Sequence, residues 1–179
     1  VKEAEAKDFM EGFMSAYPGI RGWLNDVVER ARESGFVETL GGRRRYFSGL
    51  KSEDVGERGQ AERQAVNTKV QGTAADIAKM AMICVDQRIR NEFAEVPLVM
   101  PEQPIRRKLR SSRESTIRGG FLILQLHDEL LYEVNRADLN RVAKIIKESM
   151  EAVGHLDVPL PVRIKVGPAW GDLAEYQVD

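Results

Sequence analysis

The sequence predicts an α+β fold with an antiparallel sheet, on three observations. Segments with helical periodicity alternate with hairpin-like segments. The strand–helix–strand rhythm of a parallel sheet does not appear. Two runs of strand-forming residues are each broken in the middle by a short turn, at 41–42 and at 127–129.

Taken in order, residues 2–17 predict an amphipathic helix in which Phe9, Met10, Phe13, Met14 and Tyr17 recur at three- and four-residue spacings. Such a stripe is expected to pack into a core. Pro18-Gly19 punctuates it, and a second helix over 20–34 carries Ile20, Leu24, Val27, Val28 and Ala31 on one side before Gly35 stops it. FVETLGGRRRYF (36–47) predicts a β-hairpin with Gly41-Gly42 as a two-residue turn at positive φ. Arg43, Arg44 and Arg45 follow the turn, so alternation puts at least one of them on each face of the second strand. They read either as a solvated strand edge or as phosphate ligands. Residues 48–59 predict a polar loop and 61–93 a long helix, with Ile77, Met80, Ala81, Cys84 and Val85 on the apolar side of its second half.

Residues 94–119 break this regularity. VPLVMPEQP holds three prolines, and the stretch after it sets Arg106, Arg107, Lys108, Arg110, Arg113 and Arg118 against Glu114. It reads as an exposed basic insertion, either a plain surface loop or a nucleic-acid contact. FLILQLHDELLYEV (121–134) predicts strand, tight turn and strand. A helix beginning at Asp138 follows, with Leu139, Val142, Ala143, Ile146 and Met150 inward, and then a last strand over 162–166 leading into GPAWGDL.

Bulk properties exclude several classes. The 179 residues are 42% hydrophobic and 31% charged, with a net charge of −1. A balanced total still permits nucleic-acid binding, which depends on where the charge sits. The single cysteine, Cys84, allows no internal disulfide and no Cys-based zinc site; it reads as a buried structural thiol, consistent with a reducing compartment. No apolar run approaches membrane-spanning length and no signal peptide precedes the first helix. The chain opens at Val1 already in a helical pattern, so a segment of a longer polypeptide is expected.

Two constellations could carry chemistry. Arg63, Asn67 and Gln71 are spaced by four on the long helix and so form one stripe of hydrogen-bond donors. It reads either as a solvated face or as a row lying along a minor groove, whose acceptors sit alike in every base pair, so that donors there would sense pair geometry without reading sequence. Gly72 beside it would permit close approach of another backbone or a ligand. The second constellation is His127, Asp128 and Glu129, set between two apolar half-strands. Unpartnered carboxylates are costly to bury, so the tripeptide needs a cation or a polar partner. The carboxylates suit Mg²⁺, which commonly takes one or two protein carboxylates plus substrate phosphates. His155 is the only other histidine, and no zinc-ligand spacing or nucleophile elbow supports a rival chemistry.

The ordered set GRRRYF, AERQAVNTKVQGTAADIAKMAM, QLHDELLYEV and GPAWGDL resembles the C-terminal, palm and fingers part of family A DNA polymerases, across nearly the whole chain outside 94–119. Within the family it is most similar to the theta-type enzymes, in RGGFLILQLHDELLYEV and in having a basic insertion. The resemblance implies a right-hand polymerase fold, with long helices on an antiparallel palm-type sheet and the second hairpin catalytic. It implies template-directed nucleotidyl transfer by two Mg²⁺ ions, acting on primer–template DNA and deoxynucleoside triphosphates, in DNA repair such as double-strand break end joining. Asp128 would be a metal ligand and catalytic, Glu129 a supporting carboxylate, and His127 a primer-end contact. Arg63, Asn67 and Gln71 would track the minor groove, Arg43, Arg44 and Arg45 would lie near the template strand, and Arg106, Arg107, Lys108 and Arg110 are candidate DNA contacts.

The family's first metal-binding aspartate and its nucleotide-gripping fingers helix do not occur in these residues, so the segment alone is expected to be inactive. The expected organisation is one polymerase segment over 1–179: helices and hairpin to 60, minor-groove helix 61–93, insertion 94–119, palm hairpin, helix and strand 120–179. The nucleus is the expected compartment for a theta-type chain, and the cytoplasm or nucleoid for a bacterial one. A bacterial-type DNA polymerase I segment and a non-catalytic primer–template-binding module are the alternative readings.

Overall fold

The computed structural model describes residues 3–94, 118–154 and 156–178, and divides into two compact units, Val1–Asp76 and Ile77–Asp179. The α+β expectation holds: the described strands form three separate two-stranded antiparallel ladders set among four α-helices.

In the first unit, α1 (Glu3–Ala16) and α2 (Pro18–Ser34) are joined at Tyr17, with Pro18 in the first turn of α2, where its missing N–H costs nothing. Gly35, at φ +80°, ends α2 and donates its N–H to the Ala31 carbonyl at 2.8 Å. β1 (Phe36–Glu38) and β2 (Arg44–Tyr46) pair with Val37 opposite Arg45. The unit's core is Ala31, Val37, Leu50, Ala61 and Ala65, with Phe47 packed against it.

Three expectations are corrected here. The first turn is not the two-residue Gly41-Gly42 type. Thr39 N–H bonds Arg43 C=O and Gly42 N–H bonds Thr39 C=O, so the turn spans Thr39–Gly42 and only Gly42 takes positive φ, at +84°. The long helix, α3 (Val55–Glu92), begins inside the predicted loop because Asp54 caps it: its Oδ1 accepts the Glu57 N–H at 2.8 Å, and the Ser52 hydroxyl donates to Glu57 Oε2. The aromatic stripe of α1 is not core. Phe9 is 80% exposed, and Met10, Phe13 and Tyr17 are exposed with it, because α1 lies against α2 without a second layer among the described residues.

In the second unit, α3 continues from Ile77 and buries Ala81, Val85 and Ile89, every fourth residue, while Met80, expected on the inner side, is exposed. Cys84 is half-buried and free, not fully buried as expected. β3 (Gly120–Leu126) and β4 (Glu129–Val134) form the second hairpin, with a register shift between Leu122 and Leu124 that makes Ile123 the extra residue of a bulge. α4 (Leu139–Ala152) turns Val142, Ile145 and Ser149 inward, and Val142 and Ile145 join Val85 and Ile89 in the core, beside Tyr132 and Val134.

Arg118, expected among the free charges of the insertion, instead clamps the base of this hairpin. Its guanidinium donates twice to the carboxylate of Asp138, which is 4% exposed and also accepts the Gly119 N–H. The last strand is shorter than expected, β5 (Ile164–Val166), and pairs with an unpredicted β6 (Ala174–Tyr176). GPAWGDL forms their connection: a Cβ on Gly167 would stand 1.8 Å from the Asp172 carbonyl, so that position requires glycine. Among the described residues no helix is long and apolar enough to cross a membrane.

Candidate functional site

Each unit carries one half of the expected constellation. In the first, α3 has two faces of different character. Ala61, Ala65, Thr68 and Thr73 are buried against the hairpin, whereas Arg63, Asn67 and Gln71 are exposed on the other side. At 1.5 Å rise per residue the stripe runs roughly 12 Å, the length of three to four stacked base pairs. The spacing therefore puts the three side chains on one exposed face, which fits a solvated face as well as a row of donors.

The three arginines after the turn divide by alternation. Arg43 and Arg45 turn toward α3: Arg43 Nε donates to Asp76 at 2.9 Å and its Nη2 to the Gly72 carbonyl, while Arg45 Nη1 donates to Thr68 Oγ1 at 3.0 Å. Arg44 points to the opposite face, bonds Glu38 across the ladder at 2.8 Å and lies over the Phe36 ring. Arg45 also covers Phe47 and lines an open groove with Tyr46, Ser48, Gln60 and Gln64.

Gly72 has a plainer explanation than ligand approach. A Cβ there would lie 2.8 Å from Thr39 Cγ2, so its absence lets the hairpin turn seat on the helix. Residues that sequence reasoning missed complete this seat. Lys69 donates to the Glu38 carbonyl, Thr73 accepts the Leu40 N–H, and Asp76 accepts from both the Thr39 hydroxyl and Arg43. Their signal was their spacing, since Thr68, Lys69, Gly72, Thr73 and Asp76 share one helix face.

In the second unit the turn between β3 and β4 is two residues long, His127-Asp128, with Leu126 opposite Glu129. His127 takes φ +54°, alone among the described non-glycine residues. A turn with positive φ at its first central position ordinarily takes glycine there. All three of His127, Asp128 and Glu129 are exposed, so the desolvation cost that made the tripeptide puzzling is not incurred. The apolar half-strand before it is also exposed at Leu122, Ile123, Leu124 and Leu126, because a two-stranded ladder cannot cover itself.

The donor chemistry fits a hard divalent cation. Asp128 offers an exposed carboxylate from a turn held by a rigid ladder, Glu129 follows it, and neither makes an ion pair among the described residues. No group of three acidic, histidine or cysteine side chains gathers among the described residues, and one or two carboxylates is the number of protein ligands Mg²⁺ commonly takes. Arg106, Arg107, Lys108 and Arg110 lie outside the described residues.

Residues 1–172 match the family model described as DNA polymerase family A. The chain is 42% identical to DNA polymerase theta of Mus musculus over 99% of its own length and 7% of that protein's. It is 35% identical to DNA polymerase I of Geobacillus stearothermophilus over 96% of its length and 17% of that protein's, so it spans a small part of the curated relatives it matches. A solved structure, the POL domain of Pol1 from M. smegmatis in complex with DNA primer-template and dNTP, superposes with a TM-score of 0.72 at 37% identity, covering 89% of this chain and 24% of that one. A family match over residues 1–172, nearly the whole chain, places this protein in DNA polymerase family A.

Proposed function

We propose that this chain supplies part of an active site for template-directed nucleotidyl transfer to a primer end, working within a longer polymerase as one segment over 1–179. The observation that carries the reading is the exposed Asp128 carboxylate projected by a two-residue turn from a rigid ladder. The solved relative's complex with primer-template DNA and dNTP supports the choice of partners.

In this reading Asp128 holds Mg²⁺ together with an aspartate outside residues 1–179, Glu129 supports it, and His127 meets the primer end. Bound Mg²⁺ would activate the primer 3′-hydroxyl and stabilise the departing pyrophosphate. Arg63, Asn67 and Gln71 donate to minor-groove acceptors of the new pairs. Of the hairpin arginines, Arg44 is the one directed away from α3 and so the best placed to meet template phosphate. Arg106, Arg107, Lys108 and Arg110 add further phosphate ligands. A role in joining broken DNA ends in the nucleus follows the theta-type similarity, and a bacterial-type enzyme of the cytoplasm or nucleoid is the alternative.

The decisive experiment is Asp128→Asn in the full-length protein. Primer extension should fall about a thousandfold or more while primer–template affinity stays within about threefold, since the loss is of transition-state stabilisation. Unchanged extension would reduce this segment to a primer–template-binding part in which Asp128 takes no share of catalysis. The isolated residues 1–179 should show no Mg²⁺-dependent extension, and robust synthesis by them would overturn the shared metal site. Replacing the four insertion cations by alanine should make log K less steep against log salt, by about 0.9 for each phosphate that is no longer neutralised.

A further inference from the structure

We propose that Asp76 is a positioning residue: by holding the β1–β2 turn against α3, it sets the roll of the helix that presents Asn67 and Gln71 to the DNA. This rests on the minor-groove reading of the stripe given above. Asp76 accepts the Thr39 hydroxyl at 2.7 Å on Oδ2 and Arg43 Nε at 2.9 Å on Oδ1, so one carboxylate grips both ends of the turn. The Asp76 side chain is only 15% exposed and its bond to Thr39 is partly shielded from water, while the Arg43 guanidinium that completes the grip is 47% exposed. Thr39 returns a second bond by accepting the Arg43 N–H at 3.1 Å.

The grip is reinforced along the helix. Thr73 Oγ1 takes the Leu40 N–H at 3.1 Å, Lys69 reaches the Glu38 carbonyl at 2.7 Å, and Gly72 has room only for Thr39. These bonds occupy the side of α3 opposite the exposed stripe. A rotation of the helix that moved Asn67 or Gln71 off the groove would have to break them together. One misplaced by about an ångström would cost up to about a hundredfold in a step that depends on alignment.

The test uses the full-length polymerase with Asp76→Asn, Gly72→Ala, Asn67→Ala/Gln71→Ala, and each of the first two combined with the double variant. Gly72→Ala pushes Thr39 away without altering any charge, which guards against a defect peculiar to Asp76→Asn. The readouts are melting temperature, primer–template affinity, and the ratio of extension from matched over mismatched primer ends. Asp76→Asn and Gly72→Ala should each lower that ratio about tenfold, with affinity within about threefold, and neither should lower it further when Asn67 and Gln71 are already alanine. Additive losses in the combined variants, or a ratio that falls only as far as the melting temperature explains, would overturn the proposal. If Asn67→Ala/Gln71→Ala leaves the ratio unchanged, the minor-groove reading fails first and this inference with it.

Discussion

Between β1 and β2 the chain turns on Gly42 at φ +84°, and between β3 and β4 on His127 at φ +54°. The first turn is seated on a helix: Thr39, Leu40 and Arg43 all bond α3 side chains. The second projects into solvent, and its ladder leaves Leu122, Leu124 and Leu126 exposed as well. Where only a change of direction is needed, glycine supplies it without strain. At the second turn the chain keeps a side chain, His127, in a conformation costing about 1 kcal/mol, which the proposed primer-end contact would justify. The first hairpin spends Arg43, Arg44 and Arg45 internally, in bonds to Asp76, Glu38 and Thr68, whereas Asp128 and Glu129 of the second make no ion pair among the described residues.

Substitution at the two turns should therefore have opposite signs. His127→Gly relieves the left-handed strain and should stabilise the protein by about 1 kcal/mol while lowering primer extension by about tenfold or more. His127→Ala should lose the same activity without the gain in stability, which separates the imidazole from the backbone. Gly42→Ala should cost about 1 kcal/mol and leave catalysis nearly intact. Thermal denaturation and single-turnover extension read both effects. If His127→Gly kept full activity, the comparison between a shape-making turn and a working turn would collapse.

The base of the second hairpin gives a smaller effect with a pH signature. Hydrogen bonds from Arg118, then the Gly119 N–H and the nearby guanidiniums, hold the Asp138 carboxyl below its ordinary value of 3.8. A depressed carboxylate stabilises the fold fully above the unfolded value, and that contribution is lost as pH falls below about 3.8 toward the folded value. Asp138→Asn should lower the melting temperature by several degrees at neutral pH and flatten the acid limb below pH 4. An acid limb identical to the parent protein's would show that other carboxylates govern it.

Much of this was legible in the sequence because period and turn residues report local structure directly. The four-residue spacing of Arg63, Asn67 and Gln71 put them on one exposed face, and HDE between apolar half-strands marked the turn. What failed depended on partners far along the chain. Nothing local to Arg118 announces Asp138, and nothing local to Gly72 announces Thr39. The apolar stripe of α1 obeyed its period, but period says which residues share a face and not whether anything covers it. β6 is three residues, AEY, too short to carry alternation, so only its pairing with β5 defines it. The Asp54–Glu57 cap was readable as acid at the N-cap and third helical positions, and the glycines around it masked the signal.

The smallest expected effect concerns Tyr132, whose ring packs in the core beside Val85, Ile89 and Val142 while its hydroxyl is buried without a hydrogen-bond partner among the described residues. Burial, with Asp86 adding repulsion, pushes the phenol from 10 up to about 12. A raised value means that the neutral form is preferred in the fold, so stability is full below pH 10 and declines as pH rises through that value toward 12. Tyr132→Phe keeps the ring and removes an unsatisfied polar atom, so it should be neutral or stabilising by up to about 1 kcal/mol, and should blunt the alkaline decline. A clear loss of stability would mean that the hydroxyl has a partner in solution. The second hairpin would then be tied down at Tyr132 as firmly as the first is at Asp76, and the contrast between them would rest on the turns alone.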